Sequence, residues 1–129
     1  MDFKEEILKA QDAPQDISFT FASKEYKWHF RYLTLLEKVR IEQMATKLTT
    51  TIADNGSTTN HYEKQEHLIP IHTIIEKALD EDGKRLFSHT NTEDFKTVSL
   101  MPAGLASFLA YEMSRDIFGS MTPKAEDGK

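Results

Sequence analysis

The sequence predicts a mostly α fold, a small helical domain of four to five helices with one short N-terminal β-hairpin. Three observations carry that expectation. Apolar residues recur at helical spacing over residues 35–53, 71–79 and 102–118. Alternation with period two is confined to residues 17–32. Two Thr-x-x-Glu segments, Thr34–Glu37 and Thr90–Glu93, carry the pattern of a capping box, in which the Thr hydroxyl and the Glu carboxylate each take the other's backbone amide.

Phe3, Ile7 and Leu8 sit at helical spacing, and Asp12-Ala13-Pro14 ends that segment because the residue before a proline avoids helical geometry. Residues 1–14 are therefore expected to form an N-terminal helix or arm. Ile17-Ser18-Phe19-Thr20-Phe21 alternates, the polar turn Ala22-Ser23-Lys24-Glu25 follows, and Tyr26, Trp28, Phe30 and Tyr32 then fall at every second position. These make a hairpin over about 17–32, with Trp28 inward and the capped start at Thr34 and Glu37 forming a structural junction. A two-stranded hairpin is marginal alone, so its apolar face should lie on helices.

From Leu35 to about Ala53 one helix is expected, with Ile41, Met44, Ala45, Leu48 and Ile52 on one stripe and Leu35, Leu36 and Val39 on another. Asp54-Asn55-Gly56-Ser57-Thr58-Thr59-Asn60 reads as an exposed loop between helices. Ile71, Ile74, Ile75, Ala78 and Leu79 form the next stripe, and Pro70 makes a kinked or two-piece helix of residues 61–79. Asp80-Glu81-Asp82-Gly83-Lys84 is a tight turn followed by the short extended piece Arg85-Leu86-Phe87. The box at Thr90 opens a short helix with Phe95 and Val98 inward, and Pro102 occupies a favourable first position of the last helix, capped by Gly119. Residues 15–119 form the single domain and residues 120–129, which lack periodicity, a disordered tail.

Composition narrows the function classes. The 129 residues include 21 acidic and 16 basic ones, a net charge of -5 without a basic cluster, which argues against nucleic acid or an anionic membrane as a partner. There is no cysteine, hence no disulfide framework and no thiolate zinc site. An acidic N-terminus and the absence of any long apolar run point to a protein with neither signal peptide nor membrane span, expected in the cytoplasm.

Catalytic chemistry is not indicated. Gly83 at the sixth position of an EF-hand loop would put Ala78 and His89 where carboxylates must stand. His67 and His72 are five apart, outside the spacing that lets one zinc ion meet two imidazoles on a helix, and His61 brings no HExxH pattern. No nucleophile elbow or phosphate-cradling glycine cluster occurs. No catalytic residue, metal ligand or cofactor is assigned. Trp28, Phe30 and Arg31 could stack bases, but the charge balance favours a core face.

The succession of elements carries a resemblance. Trp28-His29-Phe30-Arg31-Tyr32-Leu33-Thr34 leads into a helix, and the acidic turn Asp80-Glu81-Asp82-Gly83-Lys84-Arg85-Leu86-Phe87 follows a later one. In this the chain resembles the tail assembly chaperones of long-tailed (siphovirus-type) bacteriophages, with an aromatic-x-x-Arg-x-Leu-Thr segment before the first long helix and a Gly-Lys-x-Leu-Phe turn. The resemblance covers most of residues 15–118. It implies a non-catalytic protein of the host cytoplasm that binds the tape-measure protein, promotes assembly of tail-tube protein around it, self-associates, and is absent from the mature virion. It also implies a longer frameshifted product, and Gly128-Lys129 is compatible with a slippery run at the end of the gene. The apolar positions of the last helix fit such a role: Phe108, Met113, Phe118 and Met121 are the candidate partner-binding residues, flexible thioethers suiting varied apolar clients. The alternatives are a small adaptor or regulatory domain that binds a folded protein, or a metal-dependent hydrolase using His61 to His72.

Overall fold

In a computed structural model that describes residues 2–115, the aromatic alternation becomes the antiparallel strands β1 (Gln15–Phe21) and β2 (Lys24–Phe30), with Ile17 opposite Trp28 and Phe19 opposite Tyr26. The turn is tighter than the four polar residues expected. Ala22 and Ser23 alone make it, both with positive φ (55° and 65°), the sense of turn that matches strand twist but that non-glycine residues adopt at a cost. One face carries Ile17, Phe19, Trp28 and Phe30 into the core; Phe19 meets Trp28 edge-on at 4.8 Å, and Trp28 meets Phe87 at 6.0 Å. The strand ends are tied down as well. His29 and Leu79 exchange backbone bonds of 2.9 and 2.8 Å, and Leu79 also bridges to Arg85. Before this hairpin, α1 (Phe3–Gln11) is capped reciprocally by Asp2 and Glu5 and buries none of its residues.

The expected long helix is the main correction. α2 (Leu35–Met44) begins at the Thr34–Glu37 capping box and stops after ten residues. Thr46–Ile52 then forms β3 and Thr58–Lys64 forms β4, an antiparallel pair that pairs Leu48 with Tyr62 and Lys47 with Glu63. Among the described residues the fold is thus α+β, with five helices and two separate two-stranded sheets, not a helical domain with a single hairpin. The physical reason is local. Thr46, Thr49, Thr50 and Thr51 are β-branched, which costs side-chain freedom in a helix and suits a pleated strand. The supposed inter-helix loop is the hairpin turn: Ala53 donates to Ser57 at 2.9 Å, Gly56 takes φ +86°, and the Asn55 side chain accepts from the Ser57 amide. Ile41 and Ala45 are buried as the stripe required, but Leu48 and Ile52, assigned to the same stripe, are exposed.

β4 also takes residues 61–64 from the expected two-piece helix, leaving a short 3-10 turn (Glu66–Leu68) and α3 (Ile69–Lys77). Pro70 stands in the first turn of α3, where its missing amide would have no intrahelical partner anyway. Ile74, Ile75 and Ala78 are almost fully buried, making α3 the centre of the core. The Asp80–Lys84 turn forms as expected; the Asp80 carboxylate accepts from the amides of Asp82 and Lys84, and Gly83 takes φ +83°. α4 (Thr92–Ser99) is capped by Asn91, one residue later than the Thr90 box predicted, and the Asn91 side-chain oxygen accepts from the Glu93 amide at 2.9 Å. α5 (Ala103–Ser114) starts after Pro102, which is its N-cap residue and not its first helical one. Val98 of α4 and Leu109, Ala110 and Met113 of α5 close the core against α3. Residues 116–129, including the expected cap Gly119 and the expected tail, lie outside the described residues.

Candidate partner-binding surface

Two ion pairs link α2 to α3. Glu37 Oε1, already bonded to the Thr34 amide at 3.0 Å, also accepts from Lys77 Nζ at 2.8 Å. The capping carboxylate thus compensates a buried ammonium forty residues away. Desolvation would raise the Glu37 carboxyl, but the bonds from Lys77 and Thr34 and the Lys77 charge outweigh it and hold the group below its ordinary value. One turn on, Arg40 Nη1 meets Glu76 Oε2 at 3.1 Å, and the other oxygen of Glu76 lies 3.0 Å from His89 Nε2. The buried Glu76 carboxylate therefore has a partner at each oxygen. The His72 ring lies tilted against those of His89 and Phe95, its Nδ1 buried without a partner, and burial followed by the neighbouring His89 charge pushes its pKa below the usual imidazole value.

This polar floor leaves the outer side of α2 apolar. Leu35 and Leu36 are 79% and 68% exposed, and Val39 beside them is also exposed. Another side of α2, lined by none of these three, borders a groove of about 460 Å³ between α2, α3 and α5, with Ile41, Ile69 and Pro70 on one side and Ala110 and Tyr111 on the other. Ser107 and Ser114 line its α5 wall, so Ser107, Ala110 and Ser114 present small side chains in register while Tyr111 stands at the rim, mostly exposed. Lys38 and Glu42 supply one charge of each sign on the α2 side. Such a groove offers shape and apolar area to another chain, with little electrostatic bias.

The residues singled out by sequence fall in different places. Trp28 packs inward, and Thr34 and Glu37 form the junction, which gains Lys77 as an unforeseen partner. Phe108 is exposed on α5, whereas Met113 is 1% exposed and belongs to the core. Phe118, Met121, Gly128 and Lys129 lie outside the described residues. His61 sits on β4, His67 in the 3-10 turn and His72 inside α3, so the histidine cluster of the sequence is divided among three elements. Among the described residues no three His, Asp or Glu side chains converge as metal ligands would. Leu35, Leu36 and Val39, the second apolar stripe of the sequence, are open. The exposure of β3 and β4 was missed with the strands themselves.

The chain matches no protein-family model, no curated protein and no solved structure. No helix among the described residues is long and apolar enough to cross a membrane.

Proposed function

We propose that this chain is a non-catalytic assembly chaperone that shelters an apolar, helix-rich client. The observation that supports the reading is the open apolar strip Leu35–Leu36–Val39, on a domain that also carries a groove walled by Ala110 and Tyr111. An amphipathic client helix would lay its apolar face there, the common mode for binding a helix in a groove. Exposed apolar patches rimmed by polar residues mark sites of association on small domains. The resemblance to phage tail assembly chaperones makes the tape-measure protein the client, with tail-tube protein assembling around it, the host cytoplasm the setting and the finished virion without the chaperone. Of the features behind that resemblance the acidic glycine turn is formed, whereas the long helix is replaced by α2 and the β3–β4 hairpin. Co-expression with a phage tape-measure protein tests the reading: the client should stay soluble with this chain and precipitate with a Leu36→Asp, Val39→Asp variant. A client that is equally insoluble with and without the chain overturns it.

A further inference from the structure

We propose that β3 pairs with the β3 of a second copy, antiparallel about a two-fold axis through Thr50, joining two hairpins into one four-stranded sheet. This names the surface for the self-association that a tail assembly chaperone implies, but it stands on the geometry of the hairpin alone.

The ladder shows which groups are free to pair. Ala53 donates to Ser57, Gln65 donates to Ala45, and every pair in the register β3–β4 sums to the same value, so the odd-numbered residues of β3 spend their amides and carbonyls on β4. Thr46, Leu48, Thr50 and Ile52 therefore turn theirs to the open edge. A second antiparallel strand must match these even positions with its own. With the axis at Thr50, Leu48 of each copy stands opposite Ile52 of the other, and because Tyr62 stands opposite Leu48 within each hairpin, two rows Tyr62–Leu48–Ile52 run across the joint on one face. An axis at Thr49 would set Leu48 against Thr50 and Ile52 against Thr46. An axis at Leu48 would carry Ile52 past the strand to Met44 in α2. Only the Thr50 register places all four apolar edge residues against each other.

Charge selects the same edge. The chain carries a net charge of -5, yet residues 46–52 hold one lysine and no acid, so two copies approach there with the least repulsion. Lys47 is already opposite Glu63 and in the joined sheet would face Ala53, never another lysine. Leu48-Thr49-Thr50-Thr51-Ile52 is uncharged and rich in strand formers, whereas the β4 edge carries His61, Glu63 and Lys64, the charged guards of an edge that stays unpaired. Every residue of both strands is exposed, and an isolated two-stranded ribbon is marginal in water, so a second copy supplies the burial that the rest of the chain does not.

The chain has no cysteine, which makes the test clean. In the paired sheet the two Thr50 Cα atoms lie about 5.5 Å apart, within disulfide reach. Thr50→Cys should oxidise to a cross-linked dimer on a non-reducing gel, and Thr58→Cys on the opposite edge should not. By sedimentation the unmodified chain should be a dimer, and Thr50→Lys, which sets two ammonium groups together, should weaken it about a hundredfold while leaving the far-ultraviolet spectrum of the chain intact. Cross-linking of Thr58→Cys as fast as Thr50→Cys, or an unmodified chain that stays monomeric at about 100 μM, overturns the proposal. Loss of client solubilisation with the dimer intact would count against the chaperone reading alone.

Discussion

The two hairpins have strands of equal length and the same antiparallel pairing, yet opposite relations to the rest of the chain. β1–β2 sends an aromatic face into the core and is stitched to Leu79 by two backbone bonds. β3–β4 exposes every residue on both faces. The difference lies in composition. Ile17, Phe19, Trp28 and Phe30 give the first hairpin a continuous apolar face that helices cover, while the second has three large apolar side chains, Leu48, Ile52 and Tyr62, among threonines and charges. Equal pairing therefore does not mean equal anchoring: burial of a face, more than ladder hydrogen bonds, decides whether a ribbon belongs to the core.

Truncation should separate the two most sharply. Phe30→Ala should cost about 3–5 kcal/mol by creating a cavity, whereas Leu48→Ala, measured in the monomeric Thr50→Lys background, should stay within about 0.5 kcal/mol as exposed substitutions do. Chemical denaturation followed by circular dichroism reads both, and comparable losses would show that the second hairpin packs somewhere on its own chain. Next in size is the charge that holds α2 between the hairpins. Glu37→Ala should cost about 3 kcal/mol because it strands buried Lys77, and Lys77→Met should cost far less, since an apolar replacement leaves no orphan charge.

Acid should act on the anchored side first. Glu37 has a depressed carboxyl, so its stabilisation is complete above the unfolded value near 4.5 and is lost as pH falls through the lower folded value. His72 is also depressed, so the unfolded chain takes up its proton first and stability declines as pH drops below about 6.5. Denaturation midpoints should fall steadily on acidification from neutrality, and His72→Gln should remove the step nearest pH 6.5. Hydrogen exchange should show β3–β4 amides that face the open edge unprotected throughout in the monomeric variant. The smallest effect belongs to the first turn: Asn-Gly in place of Ala22-Ser23 should stabilise by about 1 kcal/mol by relieving two positive φ angles, raising the midpoint of thermal unfolding.

Local signals were legible where they involve neighbours in the chain. The Thr34–Glu37 box, the aromatic alternation and the Asp80–Lys84 turn each need only a few consecutive residues. The failure between residues 46 and 64 has an equally concrete cause. Met44, Leu48 and Ile52 are spaced by four, which fits a helical stripe and is also an even number that keeps one face of a strand. Periodicity does not separate these; the four β-branched threonines of β3 are the local signal that favours a strand. The candidate surface was half visible: Leu35, Leu36 and Val39 were recognised as a second apolar face, but whether that face is covered depends on what packs against α2.

The sequence by itself determined the capped start of α2, the first hairpin and the Asp80–Lys84 turn, because capping, alternation and turn geometry act over a few consecutive residues. It also determined that β1–β2 would have a buried face. Only the tertiary structure decided that Glu37 meets Lys77 and Arg40 meets Glu76, that Met113 lies inside while Leu35 and Leu36 stay open, and that one hairpin joins the core while the other leaves it. Those outcomes depend on contacts between residues dozens of positions apart, where burial is shared among elements and no single segment carries the information.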